Sequence, residues 1–214
     1  MLATAPNAEQ RVLLQNISWQ LFESLLAEMG EGRSTRLAYD RGNLEFMTPL
    51  WEHENTNRSL DLLVFALVEE LCLNCSPGGS VTLKQSKAKV GKEPDACYYI
   101  QNEDRVRGKT DIDLEIDPPP DLAVEIDITS SSIDKLSLYA ALGVPELWRY
   151  DGTQMVFYQL QAEEYVSCDR SFTFQFLPPS RVDEYLQECR SLGLMEALRQ
   201  FRIWIRDNSE SSPK

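Results

Sequence analysis

The sequence predicts a mixed α/β fold in which a central sheet is flanked by helices. Segments with apolar residues at helical spacing alternate along the chain with short strand-like runs. Residues 121–150 read as strand, helix and strand in that order, which is the unit that joins two parallel strands. The chain has 214 residues, of which 43% are hydrophobic, so it can bury one sizeable core. We therefore expect one domain over residues 1–208.

A helix and a hairpin are expected near the N-terminus. Ser18 can cap a helix that Gly30 ends, and the apolar residues between them recur at helical spacing. The runs STRLAYD and NLEFMT are strand-like and meet at Arg41 and Gly42, which predicts a hairpin. Residues 52–75 carry the longest helical pattern, and its wide apolar stripe predicts a helix covered on more than one side.

Strands dominate the middle of the chain. The runs SVTLKQSKAKV, DACYYI and DLAVEIDI are strand candidates, while the charged segment 101–120 ends in three prolines and predicts an exposed loop. A helix is expected over residues 132–142, capped by the serines at 130–132 and ended by Gly143. The runs VPELWRY and QMVFYQL are further strands.

Helices are expected again at the C-terminus. Ser180 and Asp183 have the spacing of a capping box, which predicts C-terminal helices over residues 181–208. The tail at 209–214 has the composition of a disordered segment.

The net charge of −13 argues against indiscriminate binding to nucleic acid or to membrane surfaces, because such proteins usually present a basic field. No apolar run is long enough to span a membrane, and the first residues lack the pattern of a secretion signal. Five irregularly spaced cysteines predict reduced thiols in the cytoplasm. Cys72 and Cys75 form one C-x-x-C without a second pair, which favours packing thiols at a helix end over a zinc or redox site.

Two carboxylates lie inside the buried-looking strand DLAVEIDI. Alternation places Glu125 and Asp127 on one face and the apolar residues of a core on the other. Apposed carboxylates resist joint ionisation unless a cation lies near, and neither has a basic neighbour within the strand. A divalent metal such as Mg²⁺ would solve this, because it binds one or two carboxylates and keeps several waters.

Asp95 and Lys135 complete this candidate site. Asp95 follows Pro94 at the start of an apolar strand, and pairing of that strand with 121–128 would bring Asp95 and Glu125 to one ion. Lys135 falls in the first turn of the next helix, where it can orient a metal-bound water. Each residue also has an ordinary interpretation: a turn aspartate, solvated strand-end carboxylates and a surface lysine.

These residues resemble a large bacterial family of restriction-endonuclease-like proteins, expanded in cyanobacteria, within the PD-(D/E)XK nuclease superfamily. The resemblance covers residues 35–165, which would form the core. It rests on Asp95 in EPDACYYI, Glu125 in PDLAVEIDITSSS, Lys135 and Tyr139 in DKLSLYAALGVPELWRYD, and the upstream stretch RGNLEFMTPLWEHEN.

The resemblance implies a restriction-endonuclease-like mixed sheet and hydrolysis of DNA phosphodiester bonds with Mg²⁺, or Mn²⁺, held by Asp95 and Glu125. This sequence departs from the superfamily pattern, because Asp127 stands where the lysine normally lies. Lys135 would replace that lysine, and Asp127 would be an extra metal ligand or a partner that fixes Lys135.

Further residues match the family's upstream motif or suggest a contact with DNA. Glu45 can approach the metal or pair with a nearby base, and His53 can donate to a phosphate or a carboxylate. Tyr139 and Trp148 are expected in the core. Four lysines lie in LKQSKAKVGK, and two of them, Lys87 and Lys89, are expected on one strand face.

Those two lysines have two interpretations. They can contact phosphates, or they can protect an edge strand from edge-to-edge pairing. For the whole protein we expect a cytoplasmic, metal-dependent endonuclease. The alternatives are a non-catalytic binding or assembly module with the same fold and a small-nucleotide phosphohydrolase. A homodimer could form through the apolar strands after residue 144.

Overall fold

The computed structural model describes residues 10–30, 35–128 and 133–209. Eleven strands and six helices lie in these ranges. The strands are β1 (Gln10–Leu14), β2 (Arg36–Asp40), β3 (Asn43–Thr48), β4 (Ser76–Pro77), β5 (Leu83–Gln85), β6 (Val90–Lys92), β7 (Ala96–Tyr99), β8 (Leu122–Ile126), β9 (Glu146–Tyr150), β10 (Met155–Gln161) and β11 (Glu164–Cys168). The helices are α1 (Trp19–Met29), α2 (Trp51–Glu70), α3 (Glu103–Val106), α4 (Lys135–Leu142), α5 (Pro179–Leu192) and α6 (Leu194–Ser209).

A six-stranded mixed sheet forms the centre of the fold, in the order β11-β10-β9-β8-β7-β4. The pair β8–β9 is parallel and is joined through α4, which confirms the predicted strand–helix–strand unit. The other neighbours in this sheet pair antiparallel. The predicted mixed α/β class is therefore confirmed.

A second sheet of five antiparallel strands has the order β1-β3-β2-β6-β5 and contains the predicted β2–β3 hairpin. The lysine-rich run does not form one strand, because it turns back between β5 and β6. The turn is closed by a 3.2 Å hydrogen bond from the Lys89 nitrogen to the Ser86 carbonyl, and Lys89 has a φ of 53°. The prediction that Lys87 and Lys89 share a strand face is therefore wrong.

Both faces of the six-stranded sheet are covered. On one face, side chains of β7 to β10 pack with α2, α5 and α6. On the other, Cys97, Ala123 and Leu147 pack with α4 and with β2, β5 and β6 of the second sheet. Side chains of β8 therefore alternate between two buried layers, and Glu125 lies in the layer shared with α4 and the second sheet. Among the described residues, no helix is both long enough and apolar enough to cross a membrane.

The N-terminal helix predictions are confirmed, whereas the end of the long helix differs. The Ser18 side chain caps α1 by accepting from the Leu21 nitrogen at 3.2 Å, and Gly30 ends the helix with a φ of 64°. Helix α2 stops at residue 70, and Cys72 follows in the left-handed region with a φ of 54°. Cys72 and Cys75 are free thiols beyond the helix rather than on its last turn.

Two predicted helix caps are wrong. Helix α4 begins later than expected because Asp134 caps it, accepting from the Leu136 nitrogen at 3.1 Å, whereas residues 130–132 lie outside the described ranges. Helix α5 begins after Pro178 without a side-chain cap. Asp183 instead accepts a hydrogen bond from the Met155 nitrogen at 2.7 Å, so it is not part of a capping box.

The segment predicted as an exposed loop is partly ordered by α3 and by Asp121. The side chains of Glu103 and Val106 on α3 are buried, and Asp121 accepts from the Ile100 nitrogen at 2.7 Å. The predicted C-terminal helices are present as α5 and α6. The predicted disordered tail falls on residues 210–214, outside the described ranges, apart from Ser209 at the end of α6.

Candidate active site

The pairing of β7 with β8 brings Asp95 and Glu125 together, as expected. Ala96 pairs with Val124, and the next position outward places Asp95 beside Glu125. Asp95 Oδ2 also accepts a hydrogen bond from the Ile126 nitrogen at 2.8 Å, which ties it to β8. Both carboxylates are buried. Two acidic groups from neighbouring strands therefore lie in one enclosed layer of the protein.

Glu125 is paired with cations in space, although it has none in its own strand. Lys135 Nζ lies 2.5 Å from Oε2, and Lys92 Nζ lies 2.9 Å from Oε1. The Tyr139 hydroxyl also donates to Oε1. Lysines from β6 and α4 therefore supply the nearby positive charge that the strand itself lacks, so a metal is not the one cation that can offset the repulsion between the carboxylates.

Asp127 fixes Lys135, which is one of the two roles considered for it. Lys135 Nζ donates to Oδ1, and Arg149 Nε donates to Oδ2 at 2.7 Å. Arg11 from β1 approaches Oδ1 at 3.8 Å. Burial raises the pKa of Asp127, but the charge and hydrogen bond of Lys135 and those of Arg149 outweigh it, so the pKa lies below its usual value. Asp127 is thus a charged anchor for two cations.

Lys135 keeps its proton in this environment. Burial lowers its pKa, but the charges of Glu125, Asp127 and Asp95 outweigh that effect and raise the pKa above its usual value. Lys135 can therefore orient a water or stabilise negative charge as an ammonium. It is not placed to act as a general base.

His53 lies against Asp95, and a carboxylate is one of the two partners expected for it. Its Nε2 atom is 3.1 Å from Asp95 Oδ2, and both side chains are buried. Asn57, one turn further along α2, donates to the Asp95 carbonyl oxygen at 3.0 Å. Helix α2 therefore holds Asp95 through its side chain and its backbone.

The second carboxylate oxygen of Asp95, Oδ1, differs from Oδ2 because it has no hydrogen-bond donor among the described residues. Oδ1 is buried and accepts no hydrogen bond from the described residues. Burial raises the pKa of Asp95, but the hydrogen bond and charge of His53, with the charges of Lys92 and Lys135, lower it overall. A buried anionic oxygen without a donor, next to a second carboxylate, suits a hard divalent cation.

Glu45 pairs with a base, which is one of its two interpretations. It lies buried on β3, and its Oε1 is 2.8 Å from Arg11 Nη1. Arg11 thereby bridges Glu45 and Asp127. Tyr139 and Trp148 are buried as expected, although the Tyr139 hydroxyl reaches the site. Burial, followed by the charge and hydrogen bond of Glu125, raises the pKa of Tyr139 well above its usual value, so the hydroxyl stays a donor.

Three cations of the site were not predicted: Arg11, Lys92 and Arg149. Lys92 stands three residues before Asp95, but it was predicted only as one of the four lysines in LKQSKAKVGK and not as a partner of the site. Arg149 could have been found, because the predicted parallel pair places it opposite Glu125. Lys87 and Lys89 are exposed in the turn between β5 and β6, and neither has an ion pair with the site carboxylates in the described structure.

Acidic and basic side chains are equally numerous among the described residues of this cluster. Its acidic residues are Glu45, Asp95, Glu125 and Asp127, and its lysines and arginines are Arg11, Lys92, Lys135 and Arg149. Within the described ranges, no three His, Cys, Asp or Glu side chains form a ready-made metal-binding group. The Asp95–Glu125 pair could still bind a metal, with the two carboxylates as ligands and waters in the other positions.

Comparisons with known proteins agree with the fold and with the family resemblance. A family profile described as "Putative restriction endonuclease", named Uma2, matches residues 19–192. The crystal structure of a "putative nuclease belonging to DUF820" from Anabaena variabilis ATCC 29413 superposes with a TM-score of 0.51. Its sequence identity is 16%, and the match covers 85% of this chain and 99% of the other. No curated protein matches. Because the profile spans most of the chain, the protein belongs to the Uma2 family of restriction-endonuclease-like proteins.

Proposed function

We propose that the protein is a metal-dependent endonuclease that hydrolyses phosphodiester bonds in DNA, with Mg²⁺ or Mn²⁺ as cofactor. The observation that carries the proposal is the buried pair of Asp95 and Glu125, in which Asp95 Oδ1 has no hydrogen-bond donor among the described residues. The family, whose description is "Putative restriction endonuclease", supports the reaction class.

Each residue has a role that follows from its contacts. Asp95 and Glu125 would hold the metal, which would polarise a phosphoryl oxygen and lower the pKa of bound water. His53 keeps Asp95 in place through Oδ2 and leaves Oδ1 for the ion. Lys135, fixed by Asp127, supplies a permanent positive charge beside the reacting group.

A non-catalytic binding module is the second candidate, and one observation favours it. Both oxygens of Glu125 are already engaged by Lys92, Lys135 and Tyr139. A cluster of this kind can hold a fold together without metal. The single domain over 1–208, the cytoplasmic location and the homodimer expected from the sequence remain predictions.

Cleavage of a plasmid and a labelled duplex in Mg²⁺ or Mn²⁺ tests the proposal. We expect wild-type protein to cut DNA, and we expect Asp95→Asn or Glu125→Gln to lower the rate by about a hundredfold or more. Even substitution of residues that only hold the metal ligands in place typically lowers metal affinity or activity by about 10 to 100-fold. The matched control is Glu146→Gln, because Glu146 is also a buried strand carboxylate but accepts a hydrogen bond from Trp148 Nε1 at 2.7 Å.

The control separates catalysis from stability. If Glu146→Gln lowered the rate as much as Glu125→Gln, the loss would reflect folding and not a metal ligand. Absence of metal-dependent cleavage by folded wild-type protein across duplex, single-stranded and plasmid DNA would favour the binding module.

A further inference from the structure

Arg149 differs from the other cations of the site in its exposure. Its side chain is 38% exposed, against 10% for Arg11, 4% for Lys135 and 3% for Lys92. The other three are enclosed and are used to neutralise carboxylates. Arg149 therefore forms the part of the cluster that an incoming ligand can reach.

The guanidinium of Arg149 is fixed at one corner and open at another. Its Nε atom donates to Asp127 Oδ2 at 2.7 Å, and Asp127 is itself held by Lys135. The Nη atoms of Arg149 donate to no acceptor in the described parts of the chain. A planar guanidinium held by Nε presents two parallel N–H donors through its Nη atoms, which match the oxygens of a phosphate.

Asp151, two residues further along, does not take these donors. Its Oδ1 accepts from the Thr153 nitrogen at 2.8 Å, from the Thr153 hydroxyl at 2.6 Å and from the Gln154 nitrogen at 2.8 Å. This aspartate is used to close the turn between β9 and β10. As far as the chain is described, the Nη donors of Arg149 are therefore available for a ligand from solution.

The strand register places Arg149 next to the proposed metal ligands. Arg149 is the parallel partner of Glu125, and neighbouring strands lie about 4.8 Å apart. An anion bound to the Nη atoms would lie beside the carboxylate pair. A chain with a net charge of −13 repels DNA at long range, so it needs a local cation of this kind at the reacting centre.

We propose that Arg149 is a phosphate-binding residue of this site: its Nη atoms contact the non-bridging oxygens of a DNA phosphodiester, while Asp127 holds Nε. This inference rests on the proposed nuclease function and replaces Lys87 and Lys89 as the phosphate contact nearest the chemistry. Asp127 serves as the positioning residue for both Lys135 and Arg149.

The test measures binding of a fluorescent DNA duplex by anisotropy, with Ca²⁺ in place of Mg²⁺ and at several NaCl concentrations. The variants are Arg149→Gln, which removes charge and donors, and Arg149→Lys, which keeps the charge but removes the paired donors. The control is Arg199→Gln, because Arg199 is an exposed arginine on α6 that pairs with Glu196 and its loss changes the net charge equally. Thermal unfolding checks that all variants are folded.

We expect Arg149→Gln to weaken binding by about tenfold or more, the size of a lost hydrogen bond to a charged group. The slope of log K against log salt should fall by about 0.9, as for one lost phosphate contact. Arg149→Lys should keep most of the salt slope but not the full affinity. The dissociation constant of Arg199→Gln should stay within about twofold of the wild-type value, because exposed charges far from the bound DNA are largely screened.

Two results would overturn the inference, and they differ in what else they overturn. If wild type binds and cuts DNA but Arg149→Gln behaves as Arg199→Gln does, the phosphate contact is wrong and the nuclease proposal stands. If folded wild type neither binds nor cuts DNA with Ca²⁺, Mg²⁺ or Mn²⁺, the nuclease proposal fails and the phosphate contact fails with it.

Discussion

Lys92 Nζ lies 2.9 Å from Glu125 Oε1, so a lysine of the five-stranded sheet neutralises a carboxylate of the six-stranded sheet. The same ammonium donates to the Glu93 carbonyl oxygen at 2.6 Å and is buried. Lys92 therefore joins the two sheets at the proposed metal site. Its charge also competes there with any divalent cation that Glu125 would bind.

Replacing Lys92 by methionine is expected to destabilise the metal-free protein by about 1–3 kcal/mol, because Glu125 loses one buried partner but keeps Lys135 and Tyr139. It is also expected to tighten Mn²⁺ binding, because a competing positive charge is gone. Urea unfolding with and without Mn²⁺ measures both effects. The difference in free energy of unfolding between wild type and Lys92→Met should shrink as Mn²⁺ is added, because the variant binds the ion more tightly and a ligand that binds the folded state stabilises it.

Lys84→Met is the control for this experiment. Lys84 forms an exposed pair with Glu23 at 3.2 Å, and its loss should cost less than about 1 kcal/mol. If Lys92→Met loses the same free energy of unfolding with and without Mn²⁺, Lys92 and the metal do not compete for Glu125.

His53 provides a direct spectroscopic view of the site, because the chain contains one histidine. Its Nε2 atom lies 3.1 Å from Asp95 Oδ2, so Mn²⁺ bound by Asp95 should broaden the His53 ring signals in an NMR spectrum. Mg²⁺, which is diamagnetic, should shift these signals without broadening them. Broadening should disappear in Asp95→Asn and persist in Glu146→Gln. Ring signals that stay sharp in wild type with excess Mn²⁺ would exclude Asp95 as a ligand.

Glu70 is expected to make stability depend on pH, away from the site. The hydrogen bond from Arg206, which joins α6 to α2, lowers the pKa of Glu70 to about 2 against partial burial. A lowered pKa stabilises the folded state above the ordinary value of 4.5, and this contribution is lost as the pH falls from there towards 2.

Urea unfolding of wild type and Glu70→Gln across pH 2–7 measures the effect of Glu70, with the exposed Glu163→Gln as the control for charge. The free energy of unfolding should be larger for wild type than for Glu70→Gln at neutral pH, and this difference should disappear as the pH falls towards 2. A difference that is constant over this range would refute the assignment of the pKa shift to this pair.

Features determined by neighbouring residues could be predicted from the sequence. The cap at Ser18, the helix end at Gly143 and the hairpin turn at Arg41 are local, and each is present. The β8–α4–β9 unit was predicted because its strands and helix each carry a clear pattern. Asp95 and Glu125 converge for the same reason, since both lie on strands that the alternation of residues reveals.

Features that depend on distant contacts could not be predicted in this way. Asp183 accepts a hydrogen bond from the Met155 nitrogen instead of capping its own helix, and no residue near Asp183 in the sequence indicates this contact. Lys92 reaches Glu125 from a strand of the other sheet, so no pattern within the strand of Glu125 indicates this partner. Arg11 lies on a short strand whose pairing with β3 has no local signal.

The structure removes one reason to expect a homodimer. The apolar strands after residue 144 were expected to be available for a second copy. In the structure, β9 lies between β8 and β10, and β10 is paired with β11, so these strands bury their edges within the chain. The molecular mass in solution at micromolar concentration decides between a monomer of 24.5 kDa and a dimer of twice that mass.

Calorimetric titration with Mg²⁺ and Mn²⁺ tests the central claim most directly, with wild type compared with Asp95→Asn, Glu125→Gln and the control Glu146→Gln. Each titration is repeated with a short DNA duplex present, since phosphate oxygens can complete the coordination of an ion. We expect wild type and Glu146→Gln to bind one ion, in one condition or both, and each site variant to lose that binding. Folded wild type that binds no ion, with or without DNA, would contradict the metal site and leave the Asp95–Glu125 pair as part of a structural charge cluster.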